Sequence, residues 1–260
     1  MKRSILALTL AGSVLTAGAA QAQTVFALLE GNTLAMVDTK ALKVGTPMKL
    51  SGVAGTLVGI DVRPADGLLY GLLDDGTVVT IDTASAKATV KSKLDMLLSP
   101  GVMATVDFNP VADRLRVIGS DGTNLRANVD DGKVTKDGSL KFADTDMHKG
   151  ETPKIVAGAY TNSVKGAKET ALYDVDATIG ALVKQAPPND GVLSAVGKFG
   201  IKADSYAFDI ITADAGANEG WLMAGDTLYK VDLATGKATA VGKIAGVSGT
   251  VRDIAVRPSM

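Results

Sequence analysis

Four aspartates stand at comparable places along the chain and could together bind a cation. Asp61, Asp107 and Asp209 each lie in a short apolar segment, and Asp253 lies two positions earlier in its own segment. If these side chains pointed into one channel, repulsion would raise their pKa values or recruit a cation, and oxygen ligands without His or Cys suit Ca²⁺ or Mg²⁺. The structural interpretation is an aspartate that accepts backbone hydrogen bonds in every repeat. We therefore predict no metal or cofactor, with a channel Ca²⁺ or Mg²⁺ as the alternative.

Two arginines, Arg114 and Arg116, share one face of a predicted strand because they are separated by a single leucine. Burying that face requires acidic partners. The candidates are Asp107, Asp113 and Asp130. The structural interpretation is an ion-pair network between repeats. The functional one is a pocket for an anionic ligand, because guanidinium binds carboxylate and phosphate bidentately. The pocket would also contain Asn109, Tyr160 and Asn162, at one end of the molecule.

A loop with alternating acids surrounds the only histidine. His148 follows Asp144 and Asp146 and precedes Glu151. A calcium loop needs an internal glycine and a carboxylate at a longer spacing, and no second base or nucleophile motif accompanies the histidine. We predict a solvated linker here.

The aspartate segments recur with a nearly fixed period. Copies occupy residues 58–64, 105–110, 207–212 and 253–258, and a weaker copy at 157–161 has Gly158 in place of the acid. Asp61 to Asp107 and Asp209 to Ala255 are both steps of 46 residues. Such a period in an all-strand pattern is typical of propeller blades. Turn signals such as Asp74-Asp75-Gly76 separate the strands within each unit.

The two chain ends complete one another in this pattern. Residues 24–49 supply second, third and outer strands without an inner strand, and residues 251–256 supply an inner strand alone. The sequence therefore predicts an all-β propeller of five four-stranded blades, closed by strands from both termini. Six blades are the alternative if residues 141–154 contain a strand pair.

Several ordered motifs resemble a secreted bacterial family known only as domain of unknown function 4394. They are Leu57-Val-Gly-Ile-Asp-Val-Arg-Pro64 with Leu69-Tyr-Gly71, Asp107-Phe-Asn-Pro110 with Asp113-Arg-Leu-Arg-Val117, Asn124-Leu-Arg126, Val156-Ala-Gly-Ala-Tyr-Thr-Asn162 and Pro187-Pro-Asn-Asp-Gly191. The resemblance covers nearly all of the chain after its N-terminal segment. It implies a propeller-like fold and export, and it supplies no activity.

The N-terminus predicts export independently. Lys2 and Arg3 precede an apolar run at 5–15, and Ala20-Gln21-Ala22 is a small-residue cleavage site. We predict a signal peptide at 1–22, one propeller domain at 23–260, and a periplasmic or secreted location. The chain has no cysteine, so it forms no disulfide. Neither its formal charge of −1 nor its hydropathy pattern suggests nucleic-acid binding or a membrane span.

Two classes of function fit these observations. The first is a non-catalytic propeller that binds an unknown small molecule or envelope protein, or that serves as an envelope scaffold. The alternative is a glycoside or ester hydrolase that uses carboxylates at the mouth of the ring. The single histidine, the lack of cysteine and the aromatic content of 4% favour the first class.

Overall fold

The strands alternate with tight turns along the whole described chain. A computed structural model describes residues 24–213 and 216–257, so the predicted signal peptide lies outside the described residues. The strands in chain order are β1 (Thr24–Leu29), β2 (Thr33–Asp38), β3 (Lys43–Val44), β4 (Met48–Lys49), β5 (Leu57–Val62), β6 (Leu69–Leu73), β7 (Thr77–Asp82), β8 (Lys87–Lys93), β9 (Ala104–Asn109), β10 (Arg114–Gly119), β11 (Asn124–Ala127), β12 (Val134–Lys136), β13 (Lys141–Phe142), β14 (Ile155–Tyr160), β15 (Leu172–Asp176), β16 (Ala181–Gln185), β17 (Val192–Lys198), β18 (Tyr206–Thr212), β19 (Asn218–Ala224), β20 (Thr227–Val231), β21 (Ala238–Lys243) and β22 (Val251–Arg257). A 3₁₀ turn covers Pro188–Asp190.

The strands form five mainly antiparallel sheets, which are the blades of a propeller. From inner to outer strand, blade 1 is β22-β1-β2-β3, with β4 also paired to β2, blade 2 is β5-β6-β7-β8, blade 3 is β9-β10-β11-β12, blade 4 is β14-β15-β16-β17-β13 and blade 5 is β18-β19-β20-β21. The inner strands of adjacent blades contact one another around the ring. The predicted all-β, five-bladed propeller is confirmed.

Blade 1 joins the two ends of the described chain. Its inner strand β22 pairs antiparallel with β1, with Thr24 opposite Arg257 and Ala27 opposite Ile254. This is the closure that the incomplete strand sets at the two ends predict. It completes the fifth blade, so that β1 has a strand partner on both edges.

The segment 141–154 does not form a sixth blade. It contains the two-residue strand β13, which pairs in parallel with the outer strand β17 of blade 4. The six-bladed alternative is therefore wrong, because a single short strand extends an existing sheet.

Tight turns connect the strands because acids and glycines satisfy the backbone there. In the β6–β7 hairpin the Asp75 carboxylate accepts the backbone N–H of Thr77 at 2.9 Å. Gly76 follows with a φ of +84°, which is unfavourable for a residue with a Cβ atom. The sequence signal Asp-Asp-Gly therefore corresponds to a real hairpin.

Apolar residues fill the space between adjacent blades. The cluster between blades 5 and 1 contains buried residues such as Ala207 and Ile211 of blade 5, together with Val25 and Ile254 of blade 1. The cluster between blades 3 and 4 is smaller, with eight buried apolar residues against fourteen between blades 5 and 1. Polar side chains occupy the remaining space at that smaller contact.

Within the described ranges, no helix is long and apolar enough to span a membrane.

Candidate functional site

Three inner-strand aspartates converge at the centre of the ring. One carboxylate oxygen each from Asp61, Asp107 and Asp209 lies within 4.8 Å of the other two. All three side chains are buried, with 4 to 7% of each residue exposed. We call these three residues the axial acids.

The axial acids also connect neighbouring blades. Asp61 accepts the backbone N–H of Phe108 in blade 3 at 2.7 Å. Asp107 accepts that of Tyr160 in blade 4 at 2.9 Å, and Asp209 accepts that of Val256 in blade 1 at 2.6 Å. Each bond ties one inner strand to the next, which is the structural role predicted for the repeated aspartate.

Asp253 makes the same kind of link from a different position. It lies two residues before Ala255, and its carboxylate accepts the N–H of Ile60 in blade 2 at 2.9 Å. Its second oxygen accepts the N–H of Ile254 at 3.0 Å. Blade 1 therefore keeps an aspartate link to blade 2 although its acid is displaced along the strand.

The position of the missing acid in blade 4 needs correction. The sequence comparison assigns Gly158 to it, but Ala159 directly precedes Tyr160, just as Asp107 directly precedes Phe108. Because the N–H groups of Phe108 and Tyr160 donate equivalent hydrogen bonds to the aspartate of the preceding blade, Ala159 is the counterpart of Asp107. The sequence comparison was wrong by one residue, since the weak copy contains no acid to fix its alignment.

Burial and mutual repulsion make the axial acids hard to ionise. Burial raises the pKa of Asp61 well above its usual value, and the Asp209 carboxylate raises it further. Burial and the Asp61 carboxylate do the same to the pKa of Asp107. Burial raises the pKa of Asp209 to about 7, although two backbone N–H groups oppose the shift. Charge at the axis is therefore costly unless protons or a cation compensate for it.

A buried hydroxyl accompanies the axial acids. Thr105 lies two residues before Asp107 on the same face of β9, and it is 6% exposed. Among the residues that the structure describes, no hydrogen-bond partner is found for its Oγ1. Sequence reasoning missed this residue, because a threonine in a strand is ordinary until its hydroxyl proves to be buried.

Arg116 is enclosed by protein partners at the contact between blades 3 and 4. Its Nη1 donates to Asp137 at 2.6 Å and to Asn124 at 2.9 Å. Its Nε donates to the Tyr160 hydroxyl at 3.1 Å, and its Nη2 to Asn189 at 2.8 Å. The residue is 2% exposed. Each guanidinium nitrogen thus has a partner within the protein.

The acids that hold the arginines are not those expected from the sequence. Asp137 pairs with Arg116 and also with Arg126. Asp107 instead accepts the Tyr160 N–H, and the other two expected acids bind a different arginine. The prediction of partners was wrong because Asp137 lies after an outer strand, where sequence distance gives no hint of contact.

That different arginine is Arg63, which sequence reasoning did not consider. Its Nη2 donates to Asp113 at 2.6 Å and to Asp130 at 2.9 Å. Its Nη1 donates to the Tyr70 hydroxyl at 3.2 Å. These hydrogen bonds raise the pKa of Arg63 above its usual value, so the group stays charged at the contact between blades 2 and 3. The signal was present in the first repeat, where Arg63 lies near the end of the aspartate segment 58–64.

The structure brings together only part of the predicted ligand pocket. Tyr160 is fully buried, and its hydroxyl contacts both Arg116 and Asn109. Burial raises the pKa of this tyrosine. Arg114 turns away and donates to the backbone carbonyl of Asp113 at 2.8 Å. Asn162 pairs with the amide of Asn218 in blade 5 at 2.9 Å. Whether these residues bind a ligand stays a prediction.

Asp174 is a buried acid without a partner in the described chain. It is fully buried on β15, opposite Gly158, and neither carboxylate oxygen has a hydrogen-bond partner. Its Oδ1 occupies the place where a Cβ atom on Gly158 would lie. Burial raises the pKa of Asp174 to about 8, although the charge of Arg116 lowers it. Its position in an apolar strand was the only sequence signal.

The loop around His148 is anchored to blade 4 and is not simply a solvated linker. Asp146 accepts the backbone N–H of Ala195 on β17 at 2.7 Å. The His148 ring lies 5.4 Å from the Phe142 ring, and its Nδ1 is 3.2 Å from Glu151. These contacts hold the loop against the outer edge of the blade.

A funnel opens at the end of the ring where the inner strands begin. Its volume is about 1140 Å³. The inner-strand residues at its wall include Val58, Ala104 and Val156, which begin or nearly begin β5, β9 and β14. The predicted pocket residues Asn109 and Arg114 lie at the opposite ends of their strands. The funnel is therefore at the other mouth of the ring.

Four cations line the funnel. They are Lys154, Lys198, Lys202 and Arg252, and the acids in the same wall are Glu30 and Asp204. All four cations are exposed. In residues 24–213 and 216–257 none of them forms an ion pair within 4.0 Å. The wall carries more positive than negative charge.

A smaller apolar pocket adjoins the funnel between blades 2 and 3. Its volume is about 490 Å³, and it shares Val58 and Ala104 with the funnel. Its wall contains aliphatic and thioether side chains, among them Leu72, Met96 and Leu97. Met96 and Leu97 are partly exposed at its rim. The funnel thus combines an open cationic wall with an apolar recess.

The comparisons with known proteins support the fold without naming an activity. A protein of unknown function from Bacteroides thetaiotaomicron has a similar structure, with a TM-score of 0.54 and 17% identity over 92% of this chain and 65% of that one. A protein of unknown function from Bacteroides caccae is less similar, with a TM-score of 0.45 and 12% identity over 84% of this chain and 72% of that one. No curated protein matches the sequence. The family model described as domain of unknown function (DUF4394) matches residues 33–255, and the chain belongs to that family.

Proposed function

We propose that this protein is an exported, non-catalytic binding propeller, and that its ligand is a small organic anion held in the funnel. The observation that carries the proposal is the group of exposed cations around one cavity, for which the described part of the chain provides no ion pair. Export rests on the predicted signal peptide at 1–22. The proposal differs in place from the pocket predicted around Arg114 and Arg116.

The size of the funnel suits a small molecule. Ligand sites are typically clefts of about 300–1,000 Å³ with a largely apolar lining and a few polar groups. The funnel is slightly larger, at about 1140 Å³, and it is open to solvent. A small ligand could enter it without a rearrangement of the blades.

The charges in the funnel favour an anion. Lys154, Lys198 and Lys202 lie in or near the loops that lead to blades 4 and 5, and Arg252 is the second residue of the closing strand. A concave wall of one predominant charge concentrates counter-ions and steers them inward. Flexible lysines contribute charge without fixed geometry, so they favour a negative ligand in general over one specific shape.

The neighbouring recess favours an apolar part in the same ligand. A hydrocarbon chain in the recess beside Val58 and Ala104 would leave its acidic end in the cationic funnel. Methionines at a rim adapt to ligands of varied shape. An amphipathic carboxylate therefore fits the two cavities better than a compact inorganic anion.

The hydrolase alternative finds less support. A glycosidase needs two accessible carboxyl groups separated by about 5–9 Å on either side of a sugar. The axial acids are closer together, buried, and engaged with backbone N–H groups. They support a role inside the ring more than attack on a substrate at its mouth.

The test is calorimetric titration of the mature protein with octanoate, acetate and octyltrimethylammonium. We expect octanoate to bind, acetate to bind much more weakly because it lacks the chain, and the cationic amphiphile to be rejected. The triple variant Lys154→Gln, Lys202→Gln and Arg252→Gln should weaken octanoate binding at least about tenfold, which is about 1.4 kcal/mol.

The matched control removes three exposed lysines elsewhere, by Lys87→Gln, Lys136→Gln and Lys141→Gln. This variant should bind octanoate like the parent protein. Equal binding of both amphiphiles, or equal loss in the two triple variants, would show that the funnel charges do not select the ligand and would overturn the proposal.

A further inference from the structure

The axial acids have the chemistry and spacing of a calcium site. Ca²⁺ binds six to eight oxygens at about 2.3–2.6 Å, so ligands on opposite sides of the ion are up to about 5 Å apart. Oxygens from Asp61, Asp107 and Asp209 all lie within 4.8 Å of one another. Mg²⁺ holds its ligands at about 2.0–2.1 Å in a stricter octahedron, and it suits this spacing less well.

The backbone hydrogen bonds leave room for an ion. Each carboxylate offers about four lone-pair positions. Asp61 uses one on the N–H of Val62 and one on that of Phe108, and Asp209 uses two in the same way. The remaining lone pairs are available, while the backbone bonds fix the carboxylates in place. A ligand set held in this way is preorganised for an ion.

Thr105 supplies an observation independent of the acids. Its buried Oγ1 has no protein partner in the described chain, and burying a hydroxyl without one is unfavourable. Its orientation follows from Asp253, which occupies the equivalent position in blade 1, two residues before Ala255. The Asp253 carboxylate accepts the N–H of Ile60, the residue directly before Asp61, at 2.9 Å. A side chain at the Thr105 position therefore points toward the same axis.

An ion could reach this place from the funnel. The funnel wall includes Ala104 and Arg252, each one residue before Thr105 and Asp253. Asp107 follows two residues after Thr105, or roughly 7 Å deeper at the usual rise of a strand. Thr105 and Asp253 thus lie between the cavity and the axial acids.

We propose that the axial acids Asp61, Asp107 and Asp209 bind one Ca²⁺ ion, with the Thr105 hydroxyl and Asp253 on its funnel side. The ion would connect three of the five inner strands and stabilise the centre of the ring. This inference does not depend on the nature of the ligand in the funnel.

The experiment uses Tb³⁺ as a luminescent substitute for Ca²⁺ and Trp221 as its sensitiser. Trp221 is the only tryptophan, is 5% exposed, and lies directly across the strand pair from Asp209. Excitation of the tryptophan in chelator-treated mature protein should give sensitised Tb³⁺ emission. Ca²⁺ should quench that emission by competition at a lower concentration than Mg²⁺, and it should raise the Tm.

Two variants locate the ion. Asp209→Asn should abolish the sensitised emission and the Ca²⁺-dependent rise in Tm. Because this variant could also fail to fold, Thr105→Val provides the sharper test. It should weaken Ca²⁺ binding at least about threefold without lowering the Tm of the calcium-free protein, since Oγ1 has no hydrogen bond to lose. Thr89→Val, at an exposed position on β8, is the matched control and should leave both unchanged.

Three results would overturn the proposal. The first is the absence of tryptophan-sensitised emission and of a Ca²⁺-dependent change in Tm. The second is sensitised emission that Asp209→Asn leaves intact in a folded protein. The third is unchanged Ca²⁺ affinity in Thr105→Val, which would show that the Thr105 hydroxyl does not bind the ion. If the first result is obtained, protons shared among the three acids would relieve their mutual repulsion in place of an ion.

Discussion

The contact between blades 5 and 1 and the contact between blades 3 and 4 stabilise the ring in different ways. The first is a large apolar cluster in which the closing strand β22 pairs with β1. The second has a smaller apolar cluster and encloses Arg116, Asp137 and Asp174, which has no hydrogen-bond partner among the described residues. Apolar packing tolerates small changes in geometry, whereas a buried charge depends on each of its partners. The two contacts should therefore respond differently to substitution.

The largest effect is expected at the apolar contact when its closing strand is removed. Deleting residues 250–260 takes away β22, exposes the inner edge of β1 and uncovers the apolar cluster. We expect aggregation or the loss of cooperative melting, measured by calorimetry and size-exclusion chromatography. A truncated protein that stayed monomeric with an unchanged Tm would show that closure contributes little.

The next effect concerns the charge at the polar contact. Arg116→Leu leaves Asp137 without one of its two arginines and removes the partner of Tyr160 and Asn189. We expect a loss of about 3–5 kcal/mol in the free energy of unfolding, measured by urea denaturation. Arg114→Leu is the matched control on the same strand and should cost less than about 1 kcal/mol, because Arg114 donates mainly to nearby backbone carbonyls. Similar costs for the two variants would contradict a special role for the Arg116 network.

The smallest effect is a gain in stability that depends on pH. The pKa of Asp174 is raised to about 8 by burial, so the folded protein binds more protons than the unfolded chain between about pH 4 and 8. Stability contributed by this group therefore falls as the pH rises through that window. Asp174→Asn removes this titration. The stability of the variant relative to the parent should therefore increase from pH 5 to pH 8, by at most about 4 kcal/mol.

The measurement for Asp174→Asn is the difference in unfolding free energy from the parent at several pH values. Asp176→Asn is the control on the same strand. Asp176 accepts the N–H groups of Thr178 and Lys154, so its substitution should destabilise the protein. A pH-independent difference for Asp174→Asn would mean that water or an unrecognised partner stabilises its charge.

Much of the fold could be predicted because the repeat is carried by local signals. The steps of 46 residues and turns such as Asp75-Gly76 are visible in the sequence, and so is the incomplete strand set at each end. The weak copy in blade 4 was aligned one residue away, since neither Gly158 nor Ala159 is acidic. Interblade links supplied the correct register, and these depend on three-dimensional contact.

The candidate sites were less predictable because they also depend on contacts between segments that are distant in the sequence. The aspartates that form the axial acids could be chosen because they recur, but their separation depends on how the blades are tilted around the axis. The partner of Arg116 lies on an outer segment, and the exposure of Lys154 or Lys202 depends on the shape of the funnel. Residue type indicated which side chains carry charge, and only the fold separated the enclosed cations from the open ones.

The pairing of β22 with β1 also has a consequence for the order of events during biosynthesis. Blades 2, 3 and 5 contain only strands that follow one another in the chain, so each can assemble from a short stretch. The inner strand of blade 1 is the last described strand to be made, while its partner β1 is the first. Contacts between such distant segments form slowly. The newly made chain must therefore keep β1 from pairing wrongly until synthesis is almost finished, which makes this edge the place where a chaperone would help most.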